Sequence, residues 1–135
     1  MQFPPLALAA MLAAAAVLSS CATARAPSVS LLEPADGAAV TSPFKVRFGI
    51  QGMVVQEAGA IVAGAGHHHL LIDVGPVPAG QVVLFTPQHL HFGKGQTETD
   101  VTLPPGTYKL TAQFANGAHL SYGPAMSQTI TVTVK

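Results

Sequence analysis

From Phe44 the chain alternates with a period of two: Phe44, Val46, Phe48 and Ile50 are apolar where Lys45, Arg47 and Gly49 are not. That is the period of a strand with one buried and one wet face. It returns in Thr97, Thr99, Val101 and Leu103 set against Glu98, Asp100 and Thr102, and again where Ile130, Val132 and Val134 alternate with threonines. Segments rich in Val, Leu, Ile and Phe predict further strands over Ser28–Leu32, His68–Val74, Val82–Thr86 and Tyr108–Phe114. With Phe44–Ile50, Thr97–Leu103 and Gln128–Val134 they make about seven. Pro34-Ala-Asp-Gly37 and Pro104-Pro-Gly106 have turn chemistry, proline presetting φ and glycine accepting positive φ. Gly52 to Gly66 breaks the rhythm and reads as a loop or a poor edge strand, and Gly75 to Gln81 as a loop. No helical period survives beyond the N-terminal region. The expectation is an all-β, immunoglobulin-like sandwich over residues 28–135, without the Cys and Trp of antibody domains.

The N-terminus has a different pattern. Leu6 to Leu18 is an uncharged apolar run followed by Ser19, Ser20 and Cys21, the chain's only cysteine. As a helix rising 1.5 Å per residue the run reaches only about 20 Å, short of a hydrocarbon core of about 30 Å. Residues 1–20 therefore read as a lipoprotein signal peptide, although no Lys or Arg precedes the run, and Cys21 as the lipidated residue. Plain secretory cleavage near Ala22 to Ala26 is the alternative. Residues 21–27 read as a short tether, and Ala22 rather than Asp after the cysteine, by resemblance to other lipoproteins, favours the outer membrane. The expected location is the periplasmic side of the cell envelope.

About 115 residues remain after the signal, enough for one domain. Six Lys plus Arg balance six Asp plus Glu, so the chain lacks the basic field of a nucleic-acid binder. With Cys21 acylated, no thiol is left for a disulfide, and stability rests on burial.

The chemistry lies in six histidines: His67, His68 and His69 together, His89 and His91 around Leu90, and His119 alone. On a strand, residues two apart share a face about 6.6 to 6.8 Å apart, so His67 pairs with His69 and His89 with His91. Two such pairs on neighbouring strands offer four imidazole nitrogens to one ion, Cu or Zn rather than Ca or Mg. Those four are the leading ligand set, with His68, His119 and Asp73 as further candidates. The competing account is structural: His68 shares the face of Leu70 and Ile72 and reads as a core histidine, and the other rings bond loop carbonyls or Asp73. An enzyme would need an acid/base partner, for which Asp73, Glu98 and Asp100 are available. Gly-x-Ser-x-Gly, His-Glu-x-x-His and phosphate-binding loops are absent, and no catalytic residue is assigned.

Gly66-His-His-His-Leu-Leu-Ile-Asp73, His91-Phe-Gly-Lys-Gly-Gln-Thr-Glu98, Leu103-Pro-Pro-Gly-Thr107 and Met126-Ser-Gln-Thr-Ile-Thr-Val132 together resemble the bacterial family called domain of unknown function 4399. The resemblance covers roughly residues 28–135, and its first two blocks are the specific ones. It implies a small exported bacterial protein and no established activity. Members typically carry further histidines in the C-terminal third, one of them where this chain has Tyr108. What transfers is therefore confined to His67, His68, His69, His89, His91 and His119. The reading at this level is a lipid-anchored envelope domain with a non-enzymatic binding role, its ligand a Cu or Zn ion. The alternative is a structural or interaction module that meets an envelope protein partner.

Overall fold

The computed structural model describes residues 22–135. The expected signal peptide, residues 1–20, and Cys21 lie outside the described residues. Nine strands follow in order: β1 (Ser28–Glu33), β2 (Ala39–Val40), β3 (Phe44–Gln51), β4 (Val54–Val55), β5 (Ala65–Ile72), β6 (His89–His91), β7 (Glu98–Val101), β8 (Gly106–Ala115) and β9 (Ser127–Val134). Among the described residues the helical content is one 3₁₀ turn, Pro124–Met126. The fold is all-β and sandwich-like, as the periodicity requires. Two of the additional strands, β2 and β4, are two-residue edge pairings, and β6 has three residues.

One sheet has the order β1-β3-β7 and the other β2-β9-β8-β5-β4, with β6 also paired to β5. Between them lies the main core. Phe44, Val46 and Phe48 from β3 meet Leu70 and Ile72 from β5, Leu110, Ala112 and Phe114 from β8, and Ile130, Val132 and Val134 from β9. Each set is spaced by two, as one face of a strand must be.

β5 departs from that alternation, because all eight of its residues are buried. Its inner face joins the core. Its outer face is roofed by the segment after Asp73, where Val77 and Val83 pack on Leu71 and Ala115 as a second small core. Outward polar side chains of β8 tie this roof down. Thr111 Oγ1 donates to the Val74 carbonyl at 3.0 Å, and Gln113 Oε1 accepts from the Val77 amide at 3.0 Å. The segment Val82–Thr86 is thus part of a covering loop, not the strand its composition predicts. It makes only isolated bridges, Val82 to Leu120 and Thr86 to His89. Val82 and Leu84 point outward while Val83 is fully buried, so the apolar alternation is real although the ladder is not.

Register defines two poles. Ser28 faces Gln51, Val54 faces Ala65, and His67 faces Ala115, so these residues share one pole. Gly106 faces Val134 at the other.

Candidate metal centre

β5 carries His67, His68 and His69 side by side, and strand alternation sends them to opposite faces. His68 turns inward, fully buried, its ring stacked on Phe48 at 4.7 Å with 13° between planes and edge-on to Phe114 at 5.0 Å. Both of its ring nitrogens lack a hydrogen-bond partner among the described residues. It is a core histidine, as its position beside Leu70 and Ile72 implies.

His67 and His69 turn outward beneath the roof, and both are fully buried. The register of β6 then selects one of its two histidines. His91 lies across from His69, whereas His89 lies across from Leu71, two residues further along β5 from His67. His89 shares the face but does not reach the cluster, and its Nδ1 sits 2.7 Å from Thr86 Oγ1. The position His89 leaves unfilled in the four-nitrogen set is taken by His119.

His119 arrives from the turn that follows β8. Asn116 shapes that turn, its Oδ1 accepting from the amides of Ala118 and Leu120 at 3.0 Å each. Ala115 bridges to Ser121, so the chain doubles back immediately. His119 itself has φ 65°, in the left-handed region that residues other than glycine adopt at a cost of about 1–2 kcal/mol.

The resulting geometry is compact. His67, His69, His91 and His119 each present one potential ligand atom, and these atoms all lie within 4.8 Å of one another. His67 Nε2 is 3.0 Å from His69 Nε2 and 3.1 Å from His119 Nδ1. Four nitrogens arranged tetrahedrally around zinc at 2.0–2.1 Å stand about 3.3 Å apart, so these separations need little adjustment to hold an ion. Gly93 gives His91 its room, because a Cβ there would overlap the His91 ring. His91 Nε2 is buried without a hydrogen-bond partner among the described residues, as are Nδ1 of His67 and His69.

Electrostatics favour bare imidazoles. Burial lowers the pKa of His67 to about 4, helped by His91 and His119 nearby. Burial, reinforced by the surrounding histidines, takes His69 down to about 2. His91 is also lowered by burial and by His119. At neutral pH these rings are uncharged and their lone pairs are available to a cation. Phe85 lies across the outer side, edge-on to His91 at 4.8 Å and to His119 at 4.9 Å.

The carboxylates named from the sequence are engaged elsewhere. Asp73 turns the chain at the end of β5 with φ 55°, its Oδ1 accepting from the Lys109 amide at 2.8 Å. Glu98 and Asp100 lie on β7 in the opposite sheet, within 3.6 Å and 3.4 Å of Lys45 Nζ. The cluster is an all-imidazole set, a donor chemistry suited to Zn, Cu or Ni.

Fold and site thus define a β-sandwich domain with four histidines converging outside its larger sheet. The sequence profile of the family described as Domain of unknown function (DUF4399) matches residues 46–135, and the chain belongs to that family. The matched region contains all four converging histidines. No curated protein and no solved structure shows significant similarity to the chain.

Proposed function

We propose that this protein binds one transition-metal ion, Cu or Zn, through His67, His69, His91 and His119, and that it does so without catalysis as a lipid-anchored protein of the bacterial envelope. The observation that carries the reading is the convergence of four ligand atoms within 4.8 Å in a buried setting. Uncharged imidazoles carry one proton each, so His67 Nε2, met by His69 Nε2 at 3.0 Å and by His119 Nδ1 at 3.1 Å, can be served only by N–H···N bonds within the cluster. A cation that accepts the lone pairs gives the convergence a purpose. His119 adds support, since left-handed backbone at a non-glycine residue gathers at functional sites.

Several features favour a holding role over chemistry. Asp73, Glu98 and Asp100 are committed to other contacts, and Phe85 lies over the outer side of the cluster. The anchor follows from Leu6–Leu18 and Cys21, and the outer membrane from Ala22.

Calorimetric titration of the untagged chain from Ala22 onward with Cu(II), Zn(II) and Ni(II) tests the site. One-to-one binding that disappears when His67, His69, His91 and His119 are all changed to Ala supports it. A folded wild-type domain that binds none of the three overturns it and leaves the histidines to the fold, with an interaction module as the surviving reading.

A further inference from the structure

We propose that the pole bearing the histidine cluster rests on the membrane surface, with Ile61, Val62, Leu84 and Phe85 seated among the lipids. This rests on the lipid anchor of the preceding reading and extends it from attachment to orientation.

Seven large hydrophobic side chains stand exposed among the described residues, and six of them surround this pole. Val54 pairs beside Ala65 at the start of β5. Ile61 and Val62 follow Gly59 and Ala60, which pack against Gly117 in the His119 turn, Gly59 N–H donating to the Gly117 carbonyl at 2.8 Å. On the other side of the same turn, Val82 bridges to Leu120 and the Val83 amide donates to the His119 carbonyl at 2.9 Å. Leu84 and Phe85 come next. The six are 41–66% exposed and lie on loops and a two-residue strand to either side of one turn. Monomers rarely expose apolar side chains in such a group without a partner.

The tether says what that partner is. Pro27 runs against Gly52, at the start of the apolar loop, so the chain leaves the domain at this pole. Ala22 to Pro27 is six residues, which reach at most about 20 Å fully extended, whereas the ten residues of β8 span about 33 Å. An acylated Cys21 therefore keeps this pole within reach of the bilayer and holds the opposite pole away. Charge agrees with a seat among lipids. Between Gly52 and Gly95 the only Asp, Glu, Lys or Arg residues are Glu57, Asp73 and Lys94; Asp73 belongs to the far end of β5, and Lys94 adjoins this pole, between Gly93 on Ala58 and Gly95 on Val55. The contact is accordingly mainly apolar, with Glu57, Lys94 and the tether's Arg25 at its margin, so charge contributes little beside the acyl chains. The acyl chains supply the affinity, and the loops set which side of the domain faces the lipid.

The test uses the full chain, purified with its lipid and reconstituted in phosphatidylethanolamine–phosphatidylglycerol vesicles. Because Cys21 is the only cysteine, a single introduced cysteine can be labelled with a fluorophore once Cys21 is acylated. Labels at Ile61→Cys and Leu84→Cys should be quenched severalfold more by nitroxide lipids than a label at Thr107→Cys on the far pole, and high salt should not change this. Equal quenching at the three positions in protein whose Cys21 peptide carries acyl chains overturns the orientation alone. Shielding of the two labels by a second copy, detected as a stable dimer without lipid quenching, overturns it as well. A Cys21 peptide without acyl chains in the mass spectrum removes the anchor and the orientation together, and leaves metal binding to its own titration.

Discussion

His91 stands directly across the strand pair from His69, and this single register relation decides which of the two β6 histidines belongs to the cluster. A shift by two residues would have brought in His89, and a shift by one would have turned both histidines to the other face. The expected consequence is a sharp contrast between neighbours. His91→Ala and His119→Ala should weaken Zn(II) binding by more than the roughly 10–100-fold typical of lost supporting contacts to a site. His89→Ala should leave it within about twofold, since its ring is engaged by Thr86. Competition titration against a chromogenic chelator measures all three.

Gly93 provides a test that removes no ligand. A methyl group there overlaps the His91 ring and also approaches Ala58 Cβ at 3.2 Å. Gly93→Ala should move the ring, lower metal affinity by about tenfold and cost about 1–3 kcal/mol of stability as an overpacked site does. Gly75→Ala, where an added Cβ meets nothing within 4 Å, is the matched control and should change neither.

How much of this was legible in the sequence follows from what each signal reports. Period-two alternation reports a strand and its buried face, so β3, β7 and β9 were readable from it, β1 and β8 from their β-forming composition, and the division of His68 from His67 and His69 from the same alternation. It does not report which residue faces which across a pair. That is why His89 and His91 looked equivalent until the ladder of Leu71 with His89 and His69 with His91 fixed them. His119 carried a quieter signal. Asn116-Gly117 is a strong reversal dipeptide, and read as a turn after β8 it would have folded His119 back toward β5. Val82–Thr86 misled because a loop laid over a sheet can alternate in burial without pairing along its length.

His68 should be dispensable, and its loss beneficial. Its two nitrogens are buried without partners, a condition worth about 1–3 kcal/mol, against about 0.5–1.5 kcal/mol for an aromatic stack such as the one with Phe48. His68→Leu is therefore expected to raise stability by about 1 kcal/mol at neutral pH, from the difference of those ranges. Metal binding should be unchanged, because the ring faces the other side of β5. Urea denaturation and the zinc titration together check this. A destabilised variant would mean that the ring is needed in the core.

Acid should unfold the metal-free protein early. Folded His67 and His68 hold pKa values near about 4 and His69 near about 2, all below the 6.5 of an exposed imidazole. As the pH falls below 6.5 the unfolded chain takes up protons that the folded chain refuses, so stability is complete above about pH 7 and declines toward pH 4. Each ring contributes about 1.4 kcal/mol per pH unit to the slope in that window. Below about pH 4 only His69 continues to contribute. Denaturant midpoints measured between about pH 7 and about pH 5 should drop steadily, and the triple variant with His67, His68 and His69 changed to Leu should flatten the decline. An unchanged midpoint in the wild type would mean that these rings are charged when folded.

The turn held by Asn116 makes the fourth imidazole separable from the other three. His67, His69 and His91 are embedded in strand pairing, whereas His119 rides on a short reversal shaped by the Asn116 side chain and clasped from outside by the Gly59 and Val83 amides. Changing residue 119 alone can remove or replace a donor while the sandwich beneath stays as it is, whereas Gly117 must stay glycine because a Cβ there would overlap the Ala60 carbonyl. On the proposed function the scaffold is a three-point socket whose fourth contact lies in a segment of five residues, Asn116 to Leu120, and a changed donor at His119 would shift the ion it prefers.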